Sequence, residues 1–288
     1  MKHLGFFQNV GNTPLIKIGK QLYAKLETYN PTGSIKDRMI AYVVKRAQER
    51  GEFGENTTFI EATSGNTGIA LAAAGAALGN PVKIIMPCNM SEERKQMMRA
   101  FGAEVVEVGH SDFEAAINLR DQMMVTGQDV WSPMQFENPD NVECHRETTG
   151  PEIHTQLDPN MAWSAFVGGA GTGGTMMGMW EYKDRTRFLN YRCVLVAPAE
   201  DAKNHGIQGI NDGQDFLLDT SKMDDIMKVS TDDAIERARR LAQENGLLVG
   251  ISAGANVLAA ERWIAKRRPA GVVVTILCDR GERYLSCS

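Results

Sequence analysis

The stretch "TTFIEATSGNTGIALAAAGAALGNPVKIIM", residues 57–86, decides the fold. Its first six residues, "TTFIEA" (57–62), read as a short buried strand, and a polar turn with glycine follows. The alanine-rich segment "NTGIALAAAGAALG" then predicts a helix, and "VKIIM" (82–86) a second strand. Strand, helix and strand within ~30 residues form the unit from which parallel sheets are built.

The same alternation continues outward. The charged segment "SEERKQMMRAFG" predicts a helix with Ser91 as N-cap and Glu93 close behind. "AEVVEV" (103–108) predicts a strand, and "SDFEAAINLRDQMM" a helix that begins at a Ser-Asp cap. Further on come the strand "AFVGG" (165–169), the helix "GGTMMGMWEYK", the strand "CVLVAP" (193–198), the helix "TDDAIERARRLAQENG" and the strand "GVVVTILC" (271–278). Continuous apolar strands separated by helices mean parallel sheets covered on both faces. In such sheets ligands bind outside the carboxyl ends of the strands. Three loops of small and polar residues fall at those ends: "TSGNTG", "GGAGTGGT" and "CDRGERYL". With no internal repeat and no Pro-rich linker, any domain boundary is a crossing between two packed sheets.

Composition narrows the function classes. The chain has 288 residues, 43% of them apolar, which suits one large or two medium-sized domains with real cores. Net charge is -5 and the longest basic run is "KRR" (266–268), so no nucleic-acid partner is expected. No apolar segment reaches the ~20 residues that span a bilayer. The N-terminal "MKHLGFFQNV" is shorter in its apolar part than a signal peptide, so a cytoplasmic location without membrane attachment is expected. Five cysteines (88, 144, 193, 278, 287) include no CxxC pair, and the five histidines include no HExxH, so neither disulfides nor a metal site is expected.

Three stretches carry candidate chemistry. "NPTGSIKDR" (30–38) sets Lys36 at the first turn of an expected helix, either as surface charge or as a nucleophile over a cofactor. In "GAGTGGTMMG", Gly171, Gly173 and Gly174 expose backbone N–H groups, and Thr172 and Thr175 add hydroxyls at a helix N-terminus. That suits an anion, most naturally a phosphate; a plain tight loop is the alternative. It is not a Walker A motif, and its letter match to GxGxxG lacks the acidic residue that would follow. In "EATSGNTG" (61–68), Thr63, Ser64 and Thr67, with the N–H groups from Gly65 onward, suit a carboxylate; helix capping by Ser64 or Asn66 is the alternative.

Together, "GNTPL" (11–15), "NPTGSIKDR", "EATSGNTGIALA", "MPCNMSEERKQMMRAFGAEV", "QFENPDN", "TTGPEI", "GAGTGGT", "IQGI", "GISAGA" and "CDRGERYLS" resemble, in order and over nearly the whole chain, the cysteine synthases (O-acetylserine sulfhydrylases), which are fold type II pyridoxal-phosphate enzymes. The resemblance implies an α/β fold of two doubly wound, open parallel-sheet domains, like the tryptophan synthase β chain, with the active site between them. It further implies a large phosphate-binding domain of residues 1–35 and 140–288, and a smaller, mobile substrate-carboxylate domain of residues 36–139.

By the same resemblance Lys36 carries pyridoxal 5'-phosphate as a Schiff base and later acts as the base at Cα. Residues Gly171, Thr172, Gly173, Gly174 and Thr175 cradle the phosphate, and Asn66 bonds the pyridine 3′-oxygen. Thr63, Ser64, Gly65, Thr67 and Gln135 take the substrate α-carboxylate. Asp37 and Arg38 fix the helix start. Ser252 meets the pyridine nitrogen, with Cys278 alongside, and a neutral partner there favours loss of a β-substituent. The implied reaction is β-replacement on O-acetyl-L-serine through an α-aminoacrylate, with sulfide or thiosulfate as nucleophile, giving L-cysteine or an S-substituted relative. Cystathionine β-synthase-like replacement and elimination that releases hydrogen sulfide (desulfhydrase or dehydratase) are the alternatives, and a non-catalytic relative would be marked by loss of Lys36.

"CDRGERYL" is closest to cysteine synthase B, in which Asp279 would face the second-substrate channel, whereas "HGIQGINDG" (205–213) is similar to A-type enzymes. The ending "RYLSCS" is shorter than in the family, which bears on active-site access and on the homodimer that the resemblance implies. Binding to serine acetyltransferase, a partner of A-type members, is not carried over.

Overall fold

The computed structural model describes residues 5–63, 65–110, 112–201, 205–210 and 215–285. Among the described residues the strands are β1 (Leu15–Lys17), β2 (Leu22–Leu26), β3 (Thr58–Ala62), β4 (Val82–Pro87), β5 (Glu104–Val108), β6 (Val130–Trp131), β7 (Trp163–Gly169), β8 (Arg192–Pro198), β9 (Asp225–Val229) and β10 (Val272–Leu277). The α-helices are α1 (Gly5–Gln8), α2 (Lys36–Glu49), α3 (Asn66–Leu78), α4 (Glu92–Ala100), α5 (Phe113–Thr126), α6 (Asp140–Cys144), α7 (Gly150–Gln156), α8 (Gly174–Arg185), α9 (Thr231–Asn245) and α10 (Ile251–Arg267). A π-helical turn, His145–Thr149, joins α6 to α7. Among the described residues no helix is long and apolar enough to cross a membrane.

The chain divides into two compact units, Met1–Val10 with Asn30–Asp140, and Gly11–Tyr29 with the chain from Asn141 onward. The segment expected to lie whole in the large domain, 1–35, is therefore split. Phe6 packs in the core of Met39, Val43, Ile69 and Leu71 from the short helix α1, Gly5–Gln8.

In the first unit the sheet runs β5-β4-β3-β6, all parallel. The chain moves outward from β3 to β4 to β5 and then returns to the other side of β3 for β6. Loops following β3 and β6 thus meet at the point where the winding reverses, where open α/β sheets bind ligands. Helix α3 is buried almost all round, as its alanines predict, and packs with α2 on the β3–β4 face. Helix α5 covers Ala62 and Ile85 from elsewhere on the sheet through Ala116 and Ile117. Asp112 caps α5 by accepting from the Ala115 N–H at 2.8 Å.

The second unit holds a six-stranded sheet, β1-β2-β10-β7-β8-β9, parallel except for β1. Winding proceeds from β7 through β8 to β9 and returns on the other side of β7 as β10, so the loops after β7 and β10 flank a second reversal point. Side chains alternate by the strand period. Ala165 and Val167 face the α9–α10 core with Val194, Val196 and Trp263. Gly168 lies on the other face, beside Met176, Phe166 and Ile276.

Candidate active site

Lys36 is the first residue of α2, half-buried, and the turn before it is cinched by its neighbour. Asp37 is fully buried, and its carboxylate accepts from the Thr32 N–H at 2.6 Å and from the Thr32 hydroxyl. Ser34 Oγ takes the Lys36 N–H at 3.3 Å, and Gly33 turns the chain at φ +85°. The expected structural role of Asp37 is what the geometry shows: it fixes the backbone from which the lysine projects.

At the end of β3, Thr63 Oγ1 accepts from the Gly65 N–H at 3.3 Å, and Gly65 occupies the N-cap of α3. A β-carbon on Gly65 would fall 2.7 Å from Cδ and 2.9 Å from Nε of the buried Arg94, so this backbone lies flat against a guanidinium stem. Thr67, the second residue of α3, donates its hydroxyl to Gln135 Oε1 at 2.7 Å. Asn66 precedes it, half-buried. Gln135, from the loop after β6, donates its own N–H to Glu61 Oε2 at 3.1 Å and its side-chain amide to the Ala62 carbonyl at 3.4 Å. Met134 just before it sits at φ +50°, a left-handed conformation that non-glycine residues hold at a cost of about 1–2 kcal/mol. The sheet reversal thus brings the predicted carboxylate residues Thr63, Gly65, Thr67 and Gln135 together. Ser64 lies outside the described residues.

In the second unit the glycine loop after β7 is tightly enclosed. Gly173 has φ +90°, and a β-carbon on it would stand 2.5 Å from the Leu218 N. On Gly171 it would meet the Gly209 carbonyl at 2.8 Å, and on Gly174 the Asn141 Oδ1 at 2.1 Å. Thr172 Oγ1 accepts from Asn141 Nδ2 at 3.0 Å and from the Gly174 N–H at 3.3 Å. Thr175 Oγ1 is 3.2 Å from His145 Nε2, whose Nδ1 is 2.9 Å from Thr149 Oγ1. Only glycine at three of five positions, hydroxyls at the other two, and the N-terminus of the long helix α8 together make a cup suited to a phosphate.

Ser252 stands in the first turn of α10 and is buried, while Cys278 follows β10 and is half-buried. Asn256, one turn beyond Ser252 and fully buried, ties these parts together. Its Oδ1 accepts from the Gly169 N–H at 2.8 Å, and its Nδ2 donates to the Ile276 carbonyl at 3.0 Å and to Cys278 Sγ at 3.5 Å. Asp279, expected at a second-substrate channel, is 1% exposed: it accepts from the Tyr284 hydroxyl, and its carbonyl takes the Gly250 N–H at 3.0 Å. This geometry makes Asp279 a strut between the end of β10 and the start of α10. The "IQGI" segment (207–210) is described, but the remainder of the A-type-like stretch, from 211 to 213, lies outside the described residues, as does the end of "RYLSCS".

Sequence reasoning passed over Glu61, Arg94, Asn141, His145 and Asn256. For Glu61 a signal was present: a carboxylate inside a strand read as buried has to be paired. The others depend on contacts across more than twenty residues of chain, which local pattern does not carry.

Residues 6–279 match the family described as "Pyridoxal-phosphate dependent enzyme". The chain is 38% identical over 293 residues to "Cysteine synthase B" of Salmonella typhimurium, covering 97% of this chain and 93% of that protein. A hydrogen sulfide-producing enzyme from Fusobacterium nucleatum superposes with a TM-score of 0.92 at 37% identity, covering 99% of this chain and 91% of that one. An O-acetylserine dependent cystathionine β-synthase from Helicobacter pylori gives 0.89 at 35% identity, covering 98% and 97%. On sequence and fold together, the chain belongs to the cysteine synthase family of pyridoxal-phosphate-dependent enzymes.

Proposed function

We propose that this enzyme makes L-cysteine, or an S-substituted cysteine, by replacing the acetoxy group of O-acetyl-L-serine with sulfide or thiosulfate. The observation that carries the reading is the Asp37–Thr32 clamp, which holds one lysine, Lys36, at the start of α2 within the family's lysine motif. The residues fit the family's cofactor: Lys36 Nζ would hold its aldehyde carbon, the cup of Gly171, Thr172, Gly173, Gly174 and Thr175 its phosphate, and Asn66 its ring oxygen. Ser252, with Cys278 alongside, would meet the ring nitrogen. When bound, the cofactor supplies the electron sink that makes a Cα proton removable and a β-substituent able to leave.

The side chains do the rest. The N–H groups at the start of α3, with Thr63, Ser64, Thr67 and the Gln135 amide, would bind the substrate carboxylate and orient Cα. Lys36, freed as an amine once the amino acid is in place, would take the Cα proton. A hydroxyl or thiol at the ring nitrogen leaves that nitrogen largely unprotonated, which favours loss of acetate over racemisation. On the family resemblance alone, the proposal extends to a homodimer working in the cytoplasm, with residues 36–139 as its mobile part.

Similarity to a hydrogen sulfide-producing enzyme and to a cystathionine β-synthase, at nearly equal coverage, favours a second reading: elimination, or use of a larger thiol. Product analysis with O-acetylserine and, in turn, sulfide, thiosulfate, homocysteine or no nucleophile decides between them. Cysteine from sulfide, with little pyruvate, is the expected result. Pyruvate at the same rate with and without a nucleophile would overturn the proposal in favour of elimination.

A further inference from the structure

The end of β3 carries a charged pair for which the chemistry above has no use. Glu61 is completely buried and accepts from three donors: its neighbour Ala62 N–H at 2.9 Å, the Gln135 N–H at 3.1 Å, and Arg120 Nη1 at 3.3 Å. Arg120, from α5, is itself 1% exposed and also bonds Asp121 at 2.8 Å through Nε. Asp121 is half exposed, so water screens it, whereas Glu61 is sealed from water.

A buried ion pair contributes little net stability compared with well-packed apolar side chains. Its position offers another reason for it. Glu61 lies one hydrogen bond behind Gln135, and Gln135 is in turn bonded to Thr67 at 2.7 Å. Its N–H is held by Glu61, its Oε1 by the Thr67 hydroxyl and one side-chain N–H by the Ala62 carbonyl at 3.4 Å, so the orientation of the Gln135 amide is fixed with its nitrogen end turned away from Thr67. An unpaired carboxylate at Glu61 would repel an anion bound beside Gln135 across a region without water to screen it. Burial raises the Glu61 carboxyl above the ordinary carboxylate range, and the Arg120 guanidinium with the Gln135 and Ala62 N–H groups opposes that rise.

We propose that Glu61 and Arg120 are positioning residues for the amino-acid substrate: Glu61 aims Gln135, and Arg120 cancels the charge that would otherwise drive the substrate carboxylate away. This rests on the assignment of Thr67 and Gln135 to that carboxylate. A role in packing alone would make loss of either partner harmful. The electrostatic role makes loss of the cation harmful and loss of the anion mild, and predicts that the second change repairs the first.

The test measures KM for O-acetylserine, KM for sulfide, kcat, and cofactor affinity by titration of the apoenzyme, in R120M, E61Q, the double variant, and Q135A as reference. R120M is expected to raise KM for O-acetylserine about tenfold, with kcat, KM for sulfide and cofactor affinity within about twofold of wild type. E61Q keeps an amide oxygen for the Gln135 N–H but turns its nitrogen toward the Ala62 N–H and Arg120 Nη1, so it is expected to lower stability while shifting that KM by no more than about threefold, and E61Q added to R120M to restore the KM to the same level. Equal damage from both single changes, or no recovery in the double variant, would overturn the proposal and leave packing as the role of the pair. If Q135A leaves KM for O-acetylserine unchanged, the assignment of Gln135 fails and the proposal falls with it; that outcome is told apart because it occurs with Glu61 and Arg120 intact. Should R120M yield no soluble holoenzyme, R120Q, neutral and still polar, replaces it under the same criteria.

Discussion

Gly173→Ala is the most demanding test of the phosphate cup. Gly173 holds φ +90°, and forcing an L-residue into left-handed backbone costs about 1–2 kcal/mol. The added methyl would also stand 2.5 Å from N and 2.9 Å from Cα of Leu218, backbone atoms that cannot rotate aside. Relief requires the 217–218 segment to move, at the expense of the Leu217 N–H bond to the Thr172 carbonyl, 2.9 Å long. Overpacking of this kind costs about 1–3 kcal/mol, for a total of about 2–5 kcal/mol by the same principles. Gly246→Ala separates the two effects: Gly246 has φ +68° in the same unit, but nothing lies within 4 Å of the position its β-carbon would take. It should lose only the backbone part, about 1–2 kcal/mol.

The assay is denaturant unfolding of both variants, with cofactor titration of each apoenzyme. Gly173→Ala should unfold at the lower denaturant concentration and bind pyridoxal phosphate about tenfold or more weakly for each ~1.4 kcal/mol of the strain that reaches the cup. Gly246→Ala should bind it as wild type does. If the two variants are equally stable and bind the cofactor equally well, the close approach of Leu218 to the loop is not what shapes the site.

Two further outcomes follow from the structure. Asp37→Ala leaves the buried Thr32 N–H and hydroxyl without the carboxylate they bond, and should destabilise the protein by about 1–3 kcal/mol in denaturant unfolding while lowering the fraction of Lys36 that carries cofactor. Burial pushes the Cys193 thiol up from 9.0 to about 12. Its folded pKa lies above its unfolded one, so its contribution to stability is fully present below about pH 9 and is lost as pH rises toward 12. Alkylation at about pH 8 should accordingly label the exposed Cys88 while sparing Cys193, and early labelling of Cys193 would contradict its burial.

Much of the architecture was legible because its signals are local. Continuous apolar runs gave β3, β4, β5, β7, β8 and β10; Asp112 caps α5 by accepting from the Ala115 N–H, whereas Ser91 stands at the N-cap of α4 without a side-chain cap bond. What escaped depends on tertiary partners. Strand β2 contains Lys25, which breaks the apolar run; it is tolerated inside because Glu152, far along the chain, stands 2.7 Å from it. Strand β9 is a half-exposed edge, and β6 is only two residues long, so neither has a pattern to read. Helix α10 begins within "GISAGA", a motif read for its serine, and Gly250 before it offers no side-chain cap. The site behaved likewise. Lys36, the glycine cup and the threonine loop follow from residue type and order, while the bonds that aim them, from Glu61 to Gln135, Asn141 to Thr172 and His145 to Thr175, appear only once the strands are paired.

The role of Lys36 is tested most directly by reducing the cofactor-loaded enzyme with borohydride and mapping the modified peptide by mass spectrometry. The account predicts a single pyridoxyl group on Lys36, its loss in Lys36→Ala, and loss of cysteine formation in that variant. A pyridoxyl group on another lysine, or wild-type turnover by Lys36→Ala, would contradict it.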